Sequence, residues 1–503
     1  MRLKDFIMTK NKVVALLLIL SLLLLASCSK KPEAPTTVPS GVGVQEDDKE
    51  QNVLKLPYSA NDSLNPFFAE SEVNSQLDAV LFQPLYKIDS NYNEIPVLAS
   101  EGKVKGNTIT VTLNEAYFSD NSRVTAEDVV YSFTKASESK AYASLLSPIK
   151  SALIHDETTA VFELVSNNGY ALSLLTFPIV KNVTAEDRDS VPVGSGAFVV
   201  SDEKTLVKSE VNKNAKINKI ELVDVSKAIN EAYVLQTGDI SFCFDSLQGG
   251  SYTKINAVTR SVLMNNLVYL GFNCENKAFA DPNIRAAVAS ATDIEKIAQN
   301  AYRGNAVATR LPFNPNWSKS KDISASLNAA SALSYLEKSG YNKLGFEGIR
   351  SDGETLLNFD ILVNKDNSFR LDAAKLIASS LNELGMRVNV KAVGFEDYAK
   401  AVSEGDFDMY IGEIKLGADM NLNTFFFEGG LCSKGIDPKG ESAIAYTDVL
   451  SGNMTVEAFS TVFMRDIPFA PLCFRTGVAA SLRGVNLNIQ TDKWYSDIEQ
   501  WSY

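Results

Sequence analysis

Histidine is nearly missing from this chain: His155 is the sole one among 503 residues. One imidazole cannot by itself build a multi-histidine zinc or nickel centre. Cysteine is scarce too. Of the five, Cys243, Cys274, Cys432 and Cys473 are scattered with no CxxC spacing, which argues against a metal cluster. They sit among apolar or turn residues, where buried thiols are expected. Positive charge is in deficit, with 48 Lys and Arg against 61 Asp and Glu. So acidic a chain repels nucleic acid and anionic headgroups, and no basic stripe offsets this. A small ligand is not restricted in the same way, because a local pocket can oppose the net charge. The apolar run from Val13 to Ala26 has about 14 residues, short of the roughly 20 that cross a bilayer.

What is present begins with that run. Arg2, Lys4, Lys10 and Lys12 precede it, and the small residues Ala26 and Ser27 stand just before Cys28, the order of a signal peptide. Leu25-Ala26-Ser27-Cys28 resembles the lipobox of bacterial lipoproteins. The resemblance implies cleavage before Cys28 and lipidation of its thiol, so that the body of the chain lies outside the cytoplasmic membrane. An uncleaved anchor helix is the alternative. Removal of residues 1–27 takes away four basic residues and one acidic one, moving the net charge from −13 to −16. Residues 28–52, rich in Pro, Gly, Ser and charge, read as a flexible tether.

At 503 residues, 45% hydrophobic and 22% charged, the remainder is globular and too long for one core, so two or three lobes are expected. "TITVTL" (108–113) alternates as a half-buried strand does. "ALIHDETTAVFEL" reads as a hairpin turning at Asp156 to Thr158. Asp281 followed by Pro282 marks a helix start. Further on, "LNFDILV", "SFRLDAAKLIASSLNELG", "MRVNVKAV", "FEDYAKAVSEG" and "DFDMYIG" form a β-α-β-α-β order, which calls for a parallel sheet. Within its first helix Leu371, Ala374, Ile377, Ala378, Leu381 and Leu384 share a face, and Gly385 is placed to close it. No internal repeat is visible.

"FSDNSRVTAEDVVYSF" (118–133) is physically a strand end, a polar turn and a helix capped by Thr125 and Asp128. Its wording closely resembles the "FSDG-x-P-x-TAEDVVYSF" signature of family 5 extracytoplasmic solute-binding proteins. These are the oligopeptide-, dipeptide- and nickel-binding subunits of ABC importers. "SLNPFF", "LFQPLYKID", "VPVGSGAF", "VLQTGDISF", "VYLGFNCENKAFADPNIRAAVASATD", "YLEKSGY" and "DIPFAPLCF" follow in the family's order, from about residue 53 to 480. The implied fold is α/β, of the two-lobe periplasmic-binding-protein-like type II, with an extra subdomain in lobe I and a hinge of two crossover strands. It divides the chain into lobe I at 53–265 (the insert at about 76–184), lobe II at 266–471, and a return to lobe I at 472–503. The crossings would fall near 270–273 and 472–474.

The resemblance also implies a ligand site. Members that bind peptides pair an aspartate with the peptide's amino group, and "LGADMN" places Asp419 there; a turn-capping aspartate is the alternative. The family's tryptophan position holds Leu416, and Glu413 stands where some members carry a cation. Tyr142 in "AYASLL", and Phe244 and Asp245 in "SFCFDS", match other contact segments. Trp317 and Phe425 are candidate apolar walls. Core packing is the alternative for each of these. No cofactor and no resident metal are implied, and nickel would arrive with a chelator.

The implied role is a membrane-anchored binding subunit of an ABC importer that captures a peptide or other small amine-bearing solute by lobe closure. Its partners would be the ligand, the permease and ATPase subunits, and the membrane through Cys28, with the chain itself a monomer. A peptide-signal sensor would use the same cleft. A secreted hydrolase with Ser195 as nucleophile would need His155 as its base.

Overall fold

The structure, a computed structural model, describes residues 53–250, 256–345 and 347–503. The signal peptide, the tether and Cys28 lie outside the described residues. Among the described residues no helix is long and apolar enough to cross a membrane.

The chain forms an α/β fold of two lobes. Lobe I opens with strand β1 (Val53–Tyr58), which bears helix α1 (Glu72–Leu81) on its way to a four-stranded sheet. In that sheet β2 (Ala99–Lys105), β3 (Thr108–Leu113), β5 (Thr159–Leu164) and β4 (Ile149–Asp156) are neighbours in the order β2-β3-β5-β4, all antiparallel. In β3 the alternation seen in the sequence is realised, with Ile109, Val111 and Leu113 turned inward. Helix α2 (Ala126–Glu138) covers this sheet. It starts with the expected capping box, in which the Thr125 amide donates to the Asp128 carboxylate at 2.8 Å. A second four-stranded sheet pairs β1 with β8 (Lys219–Asp224) in parallel, followed by β7 (Thr205–Lys208) and β6 (Phe198–Asp202). One continuous core joins both sheets to the C-terminal residues Trp494, Tyr495 and Trp501.

A seven-stranded sheet carries the chain into lobe II. Its order is β9 (Phe242–Asp245), β15 (Phe469–Ser481), β10 (Val258–Phe272), β14 (Met409–Lys415), β12 (Asn358–Asn364), β13 (Arg387–Val393), with the short β11 (Ala306–Ala308) also on β15. Strand β12 runs parallel to β13 and β14, as the β-α-β-α-β order demands. Helix α4 (Ser368–Glu383) crosses between β12 and β13 and ends before Gly385, whose φ of +89° closes it. Ahead of these, helix α3 (Pro282–Ala291) is capped by Asp281, as expected.

Because strand side chains alternate, the two faces of this sheet feed two cores. Val268, Leu270, Met409 and Ile411 enter one with α3 and α4; Leu267, Tyr269 and Tyr410 enter the other with Phe425, Phe459 and Phe469. A leucine, isoleucine or phenylalanine fully buried in this way contributes about 1.5–3 kcal/mol.

Strands β10 and β15 are the hinge. Along β10 the core changes between Met264, in lobe I, and Leu267, in lobe II, at a break in register between Leu263 and Leu267. Such irregularities let a strand bend. On the return, Phe474 still faces a lobe II core and Ala479 faces that of lobe I. Both changes lie nearer lobe I than 270–273 and 472–474. Every residue of β15 is buried, so its composition carries no mark of the crossing.

Two tyrosines lock the base of the hinge. On the antiparallel pair β10–β14, Tyr269 lies opposite Gly412 and Gly271 opposite Tyr410. Each ring lies over the glycine facing it: a Cβ would come within 2.3 Å of Tyr269 at Gly412 and 2.1 Å of Tyr410 at Gly271. The two hydroxyls are 3.0 Å apart and share a hydrogen bond.

Candidate functional site

Between the lobes lies a cavity of about 690 Å³, a usual size for a small-ligand site. Lobe I contributes Phe82, Tyr86, Tyr142 and Leu145; the loop after β14, with Leu416, Asp419, Asn423 and Thr424, forms the opposite wall. An adjoining cavity of about 410 Å³ shares Tyr142, Lys415, Asp492 and Lys493 with it.

The loop is held by the hinge strand. Asn265 of β10 donates its side-chain amide to the carbonyls of Leu416 and Gly417 at 3.0 and 2.8 Å, and its own carbonyl accepts from the Leu416 amide. This fixes Asp419, which is 4% exposed. Its carboxylate accepts from the Asn168 side-chain amide of lobe I at 2.9 Å and from the Asn421 backbone amide at 3.3 Å. Burial raises its pKa, and hydrogen bonds from Asn168 and Asn421 act against that rise. Asp419 is therefore a buried acceptor facing the cavity.

Tyr142 lines the cavity from the other side, its hydroxyl donating to Asp78. Burial and then the Asp78 charge push that hydroxyl far above its ordinary pKa, so it remains a neutral donor. Lys493 also holds Asp78, at 2.8 Å. Lys415 is paired with Asp492 at 2.5 Å, which raises its pKa. Lys87 is paired with Asp497 at 2.5 Å and with Glu499 at 3.6 Å.

The cavity brings Asp419 and Tyr142 together; Phe244, Asp245, Trp317 and Phe425 do not line it. Phe244 stacks on Trp494 at 4.9 Å in the lobe I core. Trp317 meets Tyr170 of lobe I edge-on at 5.2 Å, and Phe425 stacks on Phe469 at 4.1 Å within lobe II, both in the same core cluster. Asp245 accepts from the Leu247 amide at 2.8 Å. Leu416 lines the cavity and gives that wall an aliphatic surface.

Glu413 lies on the other face of β14. It is gripped by Arg475 at 2.6 Å and Arg370 at 3.0 Å, and accepts from Asn266 at 3.0 Å. Its charge is thus spent inside the hinge. Asn168, Asp78 and Lys493, which shape the site, carry no local signal. The Asn168–Asp419 bond spans 251 positions and the Asp78–Lys493 bond 415.

The Ser195 hydroxyl is buried without a partner, while His155 is exposed on β4. The glycines beside Ser195 pack on the backbone at Leu81, within 2.3 Å of an added Cβ, which explains "GSG" without a nucleophile. Among the described residues no group of three or more His, Cys, Asp and Glu is set to hold a metal. The four cysteines there are free thiols; Cys243, Cys432 and Cys473 are buried and Cys274 half-buried.

Residues 93–435 match the model of the bacterial extracellular solute-binding proteins, family 5, middle region. The oligopeptide-binding protein AppA of Bacillus subtilis is 24% identical over 379 residues, 68% of this chain and 69% of that protein. Among solved structures, a nickel ABC transporter protein from Bacillus halodurans superposes with a TM-score of 0.74 at 16% identity, covering 90% of this chain and 100% of the other. The unliganded open form of MppA, a periplasmic murein tripeptide binding protein, gives 0.72 at 17% identity, covering 88% and 97%. The chain belongs to the family 5 extracellular solute-binding proteins. It is an extracytoplasmic solute receptor of the ABC-transporter type and not an enzyme.

Proposed function

We propose that this chain captures a peptide or other small solute bearing an amine, closes its lobes over it, and delivers it to an ABC permease. A lipid on Cys28 holds the monomer at the membrane, and residues 28–52 give it reach. The observation that carries this reading is the Asp419 carboxylate, buried beside the inter-lobe cavity and held by amide donors, with no lysine or arginine paired to it among the described residues. An ammonium entering there would make a charge-assisted hydrogen bond in a water-poor site, stronger than a neutral one. The tyrosine and aliphatic surfaces around it suit the body of such a ligand. AppA and MppA, by their names, bind oligopeptides and a murein tripeptide, and both fit this class.

Thermal unfolding of the full-length protein with peptide libraries, amino acids and metal chelates tests the reading. A ligand at a hundred times its Kd stabilises by about 2.7 kcal/mol. Amine-bearing compounds should raise Tm in proportion to the logarithm of their concentration. No rise with any of them overturns the proposal.

A further inference from the structure

The balance of charge around the cavity goes further than an amine. It rests on the reading just given and concerns the other end of the ligand. Three lysines line the cavity, and each already has a carboxylate within ion-pair distance: Lys87 with Asp497, Lys415 with Asp492, and Lys493 with Asp78. Two of these carboxylates are nearly sealed from water, the Asp497 side chain at 7% exposure and that of Asp78 at 3%. Drawing either lysine away toward a ligand would strand a buried anion, and breaking a buried pair is far more costly than its formation is favourable. Tyr142 also gives its proton to Asp78 and has no second one to offer.

In the adjoining cavity Lys140 is paired with Glu70 at 3.0 Å, with both side chains more than half exposed. A cation so well hydrated contributes little to holding a carboxylate. Once these pairs are set against each other, Asp419 is left with no lysine, and Glu499, which also lines the cavity, has only a share of Lys87 at 3.6 Å. On the Asp419 wall the Asn423 side-chain oxygen, an acceptor, is also shut from water without a partner. Both features ask for N–H donors; the Thr424 and Ser496 hydroxyls, which line the same cavity and are also buried without a partner, can donate or accept and carry no positive charge to call for an anion.

We infer that the cleft selects ligands of net positive charge: an amine with no carboxylate, such as an amidated or otherwise carboxylate-free peptide. A free carboxylate on the ligand would enter a site whose lysines are each already paired with a carboxylate of the chain.

The test is a competition. A randomised tripeptide library without Asp, Glu, Lys or Arg is made in three forms: free acid, carboxamide, and N-acetylated carboxamide. Each is equilibrated by dialysis with the full-length protein in detergent, and retained members are counted by mass spectrometry. The carboxamides should be retained about tenfold or more over the free acids, which is about 1.4 kcal/mol in binding; the acetylated form should not be retained. Free acids retained as well as carboxamides would overturn this inference while leaving the amine reading intact. Retention of the acetylated form equal to the carboxamide, or of neither amine form, would overturn both.

Discussion

Asn168 and Asp419 stand on opposite lobes, 251 positions apart, and the Asn168 side-chain amide donates to the Asp419 carboxylate at 2.9 Å. This bond ties the lobes together at a residue that lines the cavity. It also supplies a donor to a carboxylate that burial would otherwise leave poorly solvated.

Asp419→Asn should therefore separate binding from folding. A charged hydrogen bond is worth about 1.5–3 kcal/mol, so amine ligands should bind roughly ten- to 150-fold more weakly. The empty protein should lose only about 1 kcal/mol, since the change removes a buried charge but turns an NH2 group toward one of the two donors, Asn168 or Asn421, that the carboxylate oxygens accept from. Titration calorimetry and thermal unfolding measure the two effects. A large fall in Tm without ligand would show Asp419 to be structural.

The Arg370–Glu413–Arg475 network makes the opposite prediction. Arg475 is 3% exposed and Glu413 7%, and Glu413→Gln leaves two guanidinium groups facing each other at the hinge. Breaking a buried pair costs about 3–5 kcal/mol, a large share of the total stability of an ordinary domain. Urea unfolding should show a loss of that size. A loss below about 1 kcal/mol would mean that water already screens the network.

At the hinge base, Gly412→Ala pushes a Cβ to within 2.3 Å of the Tyr269 ring, which is packed on Phe425 and Phe469 and cannot retreat. Overpacking of this kind costs about 1–3 kcal/mol. Combining it with Tyr269→Ala should cost less than the two changes separately, because the ring that clashes is gone. Strict additivity in a double-mutant cycle would refute the contact.

Much of the fold was legible because its signals are local. The alternation of 108–113, the Thr125–Asp128 box, the Asp281–Pro282 start and the helix ending at Gly385 each depend on neighbours within a few positions. Of the site residues read from the sequence, Asp419 and Tyr142 line the cavity. Asn168, Asp78 and Lys493 act through contacts hundreds of positions away, and a sequence pattern holds no distance. The aromatics misled for a different reason. Phe244, Trp317 and Phe425 would be drawn equally to a core or to a ligand-facing wall, and only the packing at Trp494, Tyr170 and Phe469 separates the two.

A last prediction concerns Glu231, at the start of the helix Glu231–Thr237. One of its carboxylate oxygens is shut from water and has no partner. Burial, and then the charges of Glu72 and Asp245, raise its pKa from 4.5 to about 7. In the unfolded chain it loses its proton near 4.5; in the folded protein it keeps it to about 7. Between these values the native state binds more protons than the unfolded one, so stability falls as pH rises through the window. Glu72, also raised by burial, acts in the same sense. Because Glu231 is partly exposed, its share is set at about 2 kcal/mol, somewhat less than the full shift implies. Glu231→Gln has no proton to lose. Urea unfolding at pH 5 and pH 8 should show the variant losing about 2 kcal/mol less than the parent between the two. Comparison of the two proteins cancels other titrating groups, so equal losses would show that Glu231 ionises freely in the folded state.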